Sequence, residues 1–178
     1  MKNNVKKIFV LLLAGVMFMT CSCQLSFKKI PKIPSMNFTV NADVSYKSYN
    51  SMTCEITNEE DGPLTIEIKK PVVLSGLIIE CQGENCTIKY GSLSYDADTQ
   101  KYPQLTFGKI MNEAIESAKE EPDFTQNDDG TWTLHTTANN TDVWITLDKE
   151  TYYPLTLKVP SEELEISFSN FRETEKTE

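Results

Sequence analysis

Residues 38–46 read Phe38-Thr-Val-Asn-Ala-Asp-Val-Ser-Tyr46: Phe38, Val40, Ala42, Val44 and Tyr46 alternate with Thr39, Asn41, Asp43 and Ser45. A period of two puts all five apolar side chains on one face of a β-strand and the polar ones on the other. The same beat returns at Met52, Cys54 and Ile56, at Leu64, Ile66 and Ile68, and from Leu77 to Cys81. It continues through Cys86, Ile88 and Tyr90 to Leu93 and Tyr95. Turn formers punctuate it: the run Asn58 to Pro63, Pro71, and Gln82-Gly-Glu-Asn85. Later strands are expected at Trp132 and Leu134, at Val143 to Leu147, at Leu155 to Val159, and at Leu164 to Phe168.

One stretch keeps a different period. Phe107, Ile110, Met111, Ala114, Ile115 and Ala118 follow the i, i+3, i+4, i+7 spacing of an amphipathic helix, with Thr106 placed to cap it and Pro122 to end the region. The pattern therefore predicts about ten short strands, with a single helix after the sixth. Short turns between neighbouring strands favour an antiparallel meander, and a sheet with one greasy face has to cover it. The expected fold is mainly β (α+β): a strongly curved antiparallel half-barrel sheet with the helix at 105–119 packed on its concave face. The six helical apolar residues are then the lid of any cavity beneath.

Composition narrows the function. The chain has 178 residues with 17 Lys+Arg against 26 Asp+Glu, a net charge of −9, one arginine (Arg172) and one histidine (His135). A chain this acidic has no basic stripe with which to neutralise phosphates, which argues against nucleic acid as a partner. A single histidine rules out a multi-histidine metal site.

The N-terminus carries an address. Lys2, Lys6 and Lys7 precede an uncharged run from Ile8 to Met19, which leads into Thr20-Cys21-Ser22-Cys23. That run is short for a bilayer span and reads as the core of a signal peptide. A cysteine directly after it resembles a bacterial lipobox, in which the thiol is diacylated and the chain is cut before it. Small Ser22 makes Cys23 the expected lipid-attachment residue, with Cys21 as the alternative. The expected organisation is a signal peptide at 1–22, a lipidated Pro/Lys linker at 23–36, a β domain at 37–171 and an acidic tail at 172–178. Cleavage would remove three lysines and no acid, taking the net charge from −9 to −12. Such a body is repelled by anionic headgroups, so the N-terminal diacylglyceryl anchor would be its membrane contact and its location extracytoplasmic.

This outline resembles the LolA-like family of outer-membrane lipoprotein carriers and their relatives. The resemblance is carried by the opening strand Phe38–Tyr46 and the step from Lys70-Pro71 into Leu74-Ser75-Gly76-Leu77. It is carried also by the ending, Leu147-Asp148-Lys149-Glu150-Thr151 with Tyr153-Pro154-Leu155, then Ile166-Ser167-Phe168. It implies a half-open barrel with a helical lid over a hydrophobic cavity. In the carrier that cavity uses a buried arginine, whereas Arg172 stands at the end of the last strand. Tethered relatives in bacteria without an outer membrane include partner-binding accessory proteins of envelope or spore-cortex processes.

Catalytic motifs are missing: HExxH, GxSxG, a phosphate-cradling glycine loop and CxxC. His135 could serve as the base for Cys54 or for a serine as nucleophile, but it has the parity of a solvated strand position. Asp96 with Asp98, and Asp128 with Asp129, lack the spacing of a calcium loop and suit turns. Cys81 and Cys86 flank a turn and are expected to sit opposite each other as a disulfide worth about 2 kcal/mol. Cys54 is left over as a buried thiol. No cofactor is implied and no enzyme is expected.

Two readings follow, with an acid-based envelope hydrolase as a weaker third. In the first, the concave face binds an acyl chain or another hydrophobic ligand, because one helix covers too little of it. In the second, the helix fills the hollow and the surface or sheet edge docks an envelope protein, with Trp144, Tyr152 and Tyr153 as aromatic anchors.

Overall fold

A computed structural model describes residues 31, 35–47, 49–60, 62–83, 85–97, 106–120, 122–138 and 140–174. By its contacts the chain divides into Met1–Ile30 and Pro31–Glu178, and the fold below is that of the second unit. Cys21, Cys23, the signal peptide, nearly all of the linker and the side chain of Thr106 lie outside the described residues.

Six strands come first: β1 (Phe38–Tyr46), β2 (Tyr49–Asn58), β3 (Leu64–Lys70), β4 (Leu77–Gln82), β5 (Asn85–Tyr90) and β6 (Leu93–Ala97). The helix α1 (Thr106–Glu120) follows. Then come β7 (Asp123–Gln126), β8 (Trp132–Ala138), β9 (Thr141–Leu147), β10 (Pro154–Val159) and β11 (Leu164–Glu173). All eleven strands form one antiparallel sheet in the order β6-β5-β4-β3-β2-β1-β11-β10-β9-β8-β7. Each half is a meander, and the pairing of β1 with β11 joins the halves. Among the described residues the two edges are β6 and β7, and α1 lies on the connection between them.

The helix shows how far the sheet bends. It touches β3, β4 and β5 in one half and β8 in the other. In a flat sheet β4 and β8 would stand about 34 Å apart, at about 4.8 Å per strand, while a helix is only about 10–12 Å across. The sheet therefore curls around α1 without closing into a barrel.

Inside the curl, alternation is obeyed closely. All five apolar residues of β1 are buried, as are Leu64, Ile66 and Ile68 of β3 and Val143, Ile145 and Leu147 of β9. Phe107, Ile110, Met111, Ala114 and Ala118 of α1 are buried in the same core, and Ile115 packs against it. Cys81 and Cys86 stand opposite each other and are joined by a disulfide, with Gly83 at φ +55° in the turn between them. Among the described residues, no helix is long and apolar enough to cross a membrane.

The structure departs from the pattern-based expectation at two places. Strand β7 was not anticipated, because Asp-Phe-Thr-Gln has one apolar residue and so shows no alternation. The last strand also runs beyond Phe168. Between the pairs Thr39–Arg172 and Asn41–Ser169, β11 carries one extra residue, and Asn170 there adopts φ +54°. Such a bulge reverses the facing of everything after it. Phe168 and Phe171 consequently both point inward, and Arg172 and Glu173 are strand rather than tail.

Left-handed backbone costs most L-residues about 1–2 kcal/mol, and asparagine and glycine least. Asn170→Val is therefore expected to lower unfolding stability by about that amount, while Asn170→Gly leaves it near the starting value. Urea denaturation midpoints of the three proteins test this ordering.

Candidate functional site

At Gly108 the helix backbone lies close against the sheet. A Cβ built there would lie 3.2 Å from Cys81 Sγ and 3.2 Å from Ile66 Cδ1, so any larger residue makes these neighbours give way by a few tenths of an ångström or more. Beside it, Asn112 Nδ2 donates to the carbonyl of Gly83 at 3.3 Å. At the other end of α1, Ser117 Oγ donates to the carbonyl of Thr137 at 3.0 Å. The first half of α1 is thus seated on β3–β5, and its second half reaches β8.

Under that second half the inward side chains are Met111, Ala114, Ile115 and Ala118. The two alanines, one turn apart, are too short to fill the space below them. A pocket of about 90 Å³ remains. Its floor is Val40, Leu134, Ile145, Leu147 and Leu157, and its rim includes Phe38, Phe168, Phe171 and Pro154, with Ser35 and Met36 as a lip. No polar atom is exposed on its wall. By volume it has room for several water molecules, but water needs polar partners, so the site suits an apolar occupant.

The rim is well fixed. Phe171 lies between two rings, stacked on Phe38 at 5.0 Å and on Tyr153 at 4.4 Å. Asn58, itself buried, donates from Nδ2 to the carbonyl of Met36 at 2.6 Å and holds the lip in place.

Of the six lid residues named from sequence, Met111, Ala114, Ile115 and Ala118 line the pocket; Phe107 and Ile110 are fully buried in the core beside it. Phe171 was beyond the reach of parity counting because the bulge at Asn170 turns it inward. The one available signal was asparagine, a residue that tolerates a positive φ, two places after Phe168.

Other candidates separate. Cys54 is in the core, whereas His135 is on the outer face with Nε2 3.1 Å from Asp142 Oδ1, so the two do not form a nucleophile–base pair. Burial, with a smaller contribution from the Asp43 carboxylate, pushes the Cys54 thiol up to about 12 from 9.0. At pH 8 its thiolate fraction is then roughly a thousandfold below that of an ordinary thiol. Cys54 is expected to resist a thiol reagent at pH 8 in the folded protein and to react promptly in denaturant. The raised value also makes the neutral thiol a source of stability that is fully present below pH 9 and fades between pH 9 and 12.

The acidic turns bind their own backbone. Asp129 accepts from Thr131 Oγ1 at 2.6 Å and from Thr131 N at 2.9 Å, and Asp148 from the amides of Thr151 and Glu150 and from Thr151 Oγ1. These bonds hold both carboxyls below the usual range, led by the Thr131 hydroxyl for Asp129 and by the Thr151 amide for Asp148. Among the described residues, no group of three His, Cys, Asp or Glu side chains converges as a metal site. Asp98 lies outside the described residues.

The proposed anchors divide as well. Trp144 is 42% exposed on the outer face and stacks on His135 at 4.2 Å. Tyr152 and Tyr153 are half-buried, one against the core and one against Phe171. Arg172 is exposed, 3.8 Å from Glu55, and takes no part in the pocket.

No family model and no curated protein matches this sequence. The chain is similar to several solved structures, among them three. One is a LolA superfamily protein from Nitrosomonas europaea, 11% identical with a TM-score of 0.46, covering 82% of this chain and 90% of that one. Another is a putative outer membrane lipoprotein-sorting protein domain from Vibrio parahaemolyticus, at 10% identity and TM-score 0.43, covering 79% of this chain and 86% of that one. A third is the CwlD amidase from Clostridioides difficile in complex with the GerS lipoprotein, at 14% identity and TM-score 0.39, covering 100% of this chain and 95% of the matched one.

Proposed function

We propose that this chain is a non-catalytic, membrane-tethered bacterial lipoprotein that binds a hydrophobic ligand in the pocket beneath α1. The observation that carries the reading is the wall itself: an open hollow between helix and sheet with no exposed polar atom. An acyl chain or similar aliphatic group gains from leaving water there, at about 25 cal/mol per Å² of apolar surface covered. Nothing in the wall would recognise a charged headgroup, so the headgroup of a bound lipid would stay outside the rim. Cys54 in the core and His135 on the outer face are too far separated to act as a pair, and neither is assigned a catalytic role. Tethering is supported by the Lys2–Cys23 sequence, which supplies a signal-peptide core followed by a cysteine.

Native mass spectrometry of gently purified protein tests the binding reading. The expected spectrum contains an adduct with the mass of a fatty acid or lipid, which disappears in Ala114→Phe, where the added ring occupies the pocket. A wild-type protein without any adduct, which also fails to bind an added fatty acid, would contradict it.

A further inference from the structure

The concave face has a corner that α1 does not cover. Across β3, β4 and β5 the inward residues Ile66, Ile79 and Ile88 stand opposite one another, all buried. The next member of that row is Tyr95 of edge strand β6, which is 50% exposed. The neighbouring row, Leu77 opposite Tyr90 opposite Leu93, ends with Leu93 71% exposed. Seated over Cys81 and Gly83, α1 lies at the other end of β4 and β5. The uncovered side chains bound an apolar cleft of about 300 Å³ that shares no residue with the pocket beneath α1.

The strand bordering this cleft is also an edge among the described residues, and its one charge is Asp96. Among the described residues nothing pairs with the outer side of β6. Sheet edges are usually blunted by lysine, proline, a bulge or extreme shortness. Leu93-Ser-Tyr-Asp-Ala97 has neither lysine nor proline, and its register with β5 is unbroken. The opposite edge, β7, is only four residues long and mostly polar.

Charge selects the occupant. On the outward face of β6 the one charged group is Asp96, which accepts from Thr87 Oγ1 at 3.4 Å and has no ion-pair partner among the described residues. The chain as a whole carries −9. A second copy would bring another −9 and another Asp96 to the contact, which opposes self-pairing. We propose that β6 is the docking edge for an extended segment of a partner protein that alternates apolar and basic residues. Its backbone would extend the sheet, its apolar side chains would cover Leu93 and Tyr95, and a lysine or arginine would face Asp96. Main-chain hydrogen bonds supply affinity in such strand addition, and the alternating side chains supply specificity.

The test uses the full chain and two nine-residue synthetic peptides, one alternating valine with lysine and one alternating valine with glutamate. Binding is followed by fluorescence anisotropy, and the site is located by amide hydrogen exchange. The valine–lysine peptide is expected to bind saturably, to slow exchange at Leu93–Ala97, and to bind at least tenfold tighter than the valine–glutamate peptide. Leu93→Ser with Tyr95→Ser, both at exposed positions, is expected to weaken it at least tenfold while leaving the melting temperature and fatty-acid binding unchanged. Several results would overturn the proposal: no slowing at Leu93–Ala97, equal binding of the two peptides, or equal binding by the double variant. So would protection of β6 that rises with protein concentration alone, indicating a second copy, or protection by anionic vesicles in place of peptide.

Discussion

Phe107→Ala is expected to destabilise the protein by about 3–5 kcal/mol, the usual cost of removing a buried aromatic ring. Phe107 has no exposed surface and is among the largest fully buried side chains described. It lies on the first turn of α1, immediately before the glycine at which the helix meets the sheet. Losing it leaves a void that a curled sheet tied by its β1–β11 pairing cannot easily close. The consequence should extend beyond global stability, because the same helix roofs the pocket. Chemical denaturation reads the stability loss, and hydrogen exchange along α1 in native buffer reads the loosening of the roof. A cost below about 1 kcal/mol would mean that α1 is not seated as described.

Gly108→Val is expected to have the second largest effect, through excess rather than loss. Its Cβ would meet Cys81 Sγ and Ile66 Cδ1 at 3.2 Å, with Ile79 Cγ2 at 3.7 Å behind them. Cys81 is held by its disulfide and cannot swing aside, so the helix must lift. Overpacking of this kind costs about 1–3 kcal/mol, and valine adds branched methyl groups to the clash. Gly108→Ala is the informative control. Alanine gains about 1 kcal/mol of helix propensity over glycine, which offsets part of a smaller clash. The expected order of melting temperatures is Gly108 highest or level with Ala, and Val clearly lowest. Reducing the disulfide should narrow the gap between Val and Gly, since a freed Cys81 side chain can yield. An unchanged gap would show that Ile66 alone sets the limit.

Much of this arrangement was readable in the residues. Strict alternation in Phe38–Tyr46 gave the inward face of β1 without error, because a two-residue period has no tolerance for slippage when one face is buried. The helix was legible because its apolar spacing switched from two to 3.6 within a few residues. The Cys81–Cys86 pairing followed from equal distance on either side of a turn. Each of these signals is local.

What escaped was set by pairing and packing partners that a segment's own pattern does not show. Strand β7 owes its existence to pairing with β8, since Phe124 by itself carries no period. The bulge at Asn170 arises where β11 meets β1, and it alone brings Phe171 into the rim. Tyr153 looked like a solvent-facing anchor until the bulge placed Phe171 beneath it. Gly108 carries no signal within the helical pattern, and its purpose appears only once Cys81 and Ile66 are seen against it. The pocket itself could be expected from the excess of inward apolar residues. Its position was not legible, because it depends on Ala114 and Ala118 facing a part of the curl that no other side chain fills.

The most direct measurement is methyl NMR of the protein during titration with dodecanoate. The account predicts saturable shifts at Met111, Ile115, Leu134 and Ile145, which surround the pocket, and quiet resonances at Ile66 and Ile79 under Gly108. Unmoved pocket methyls at saturating ligand, or shifts confined to the outer face around Trp144, would contradict it.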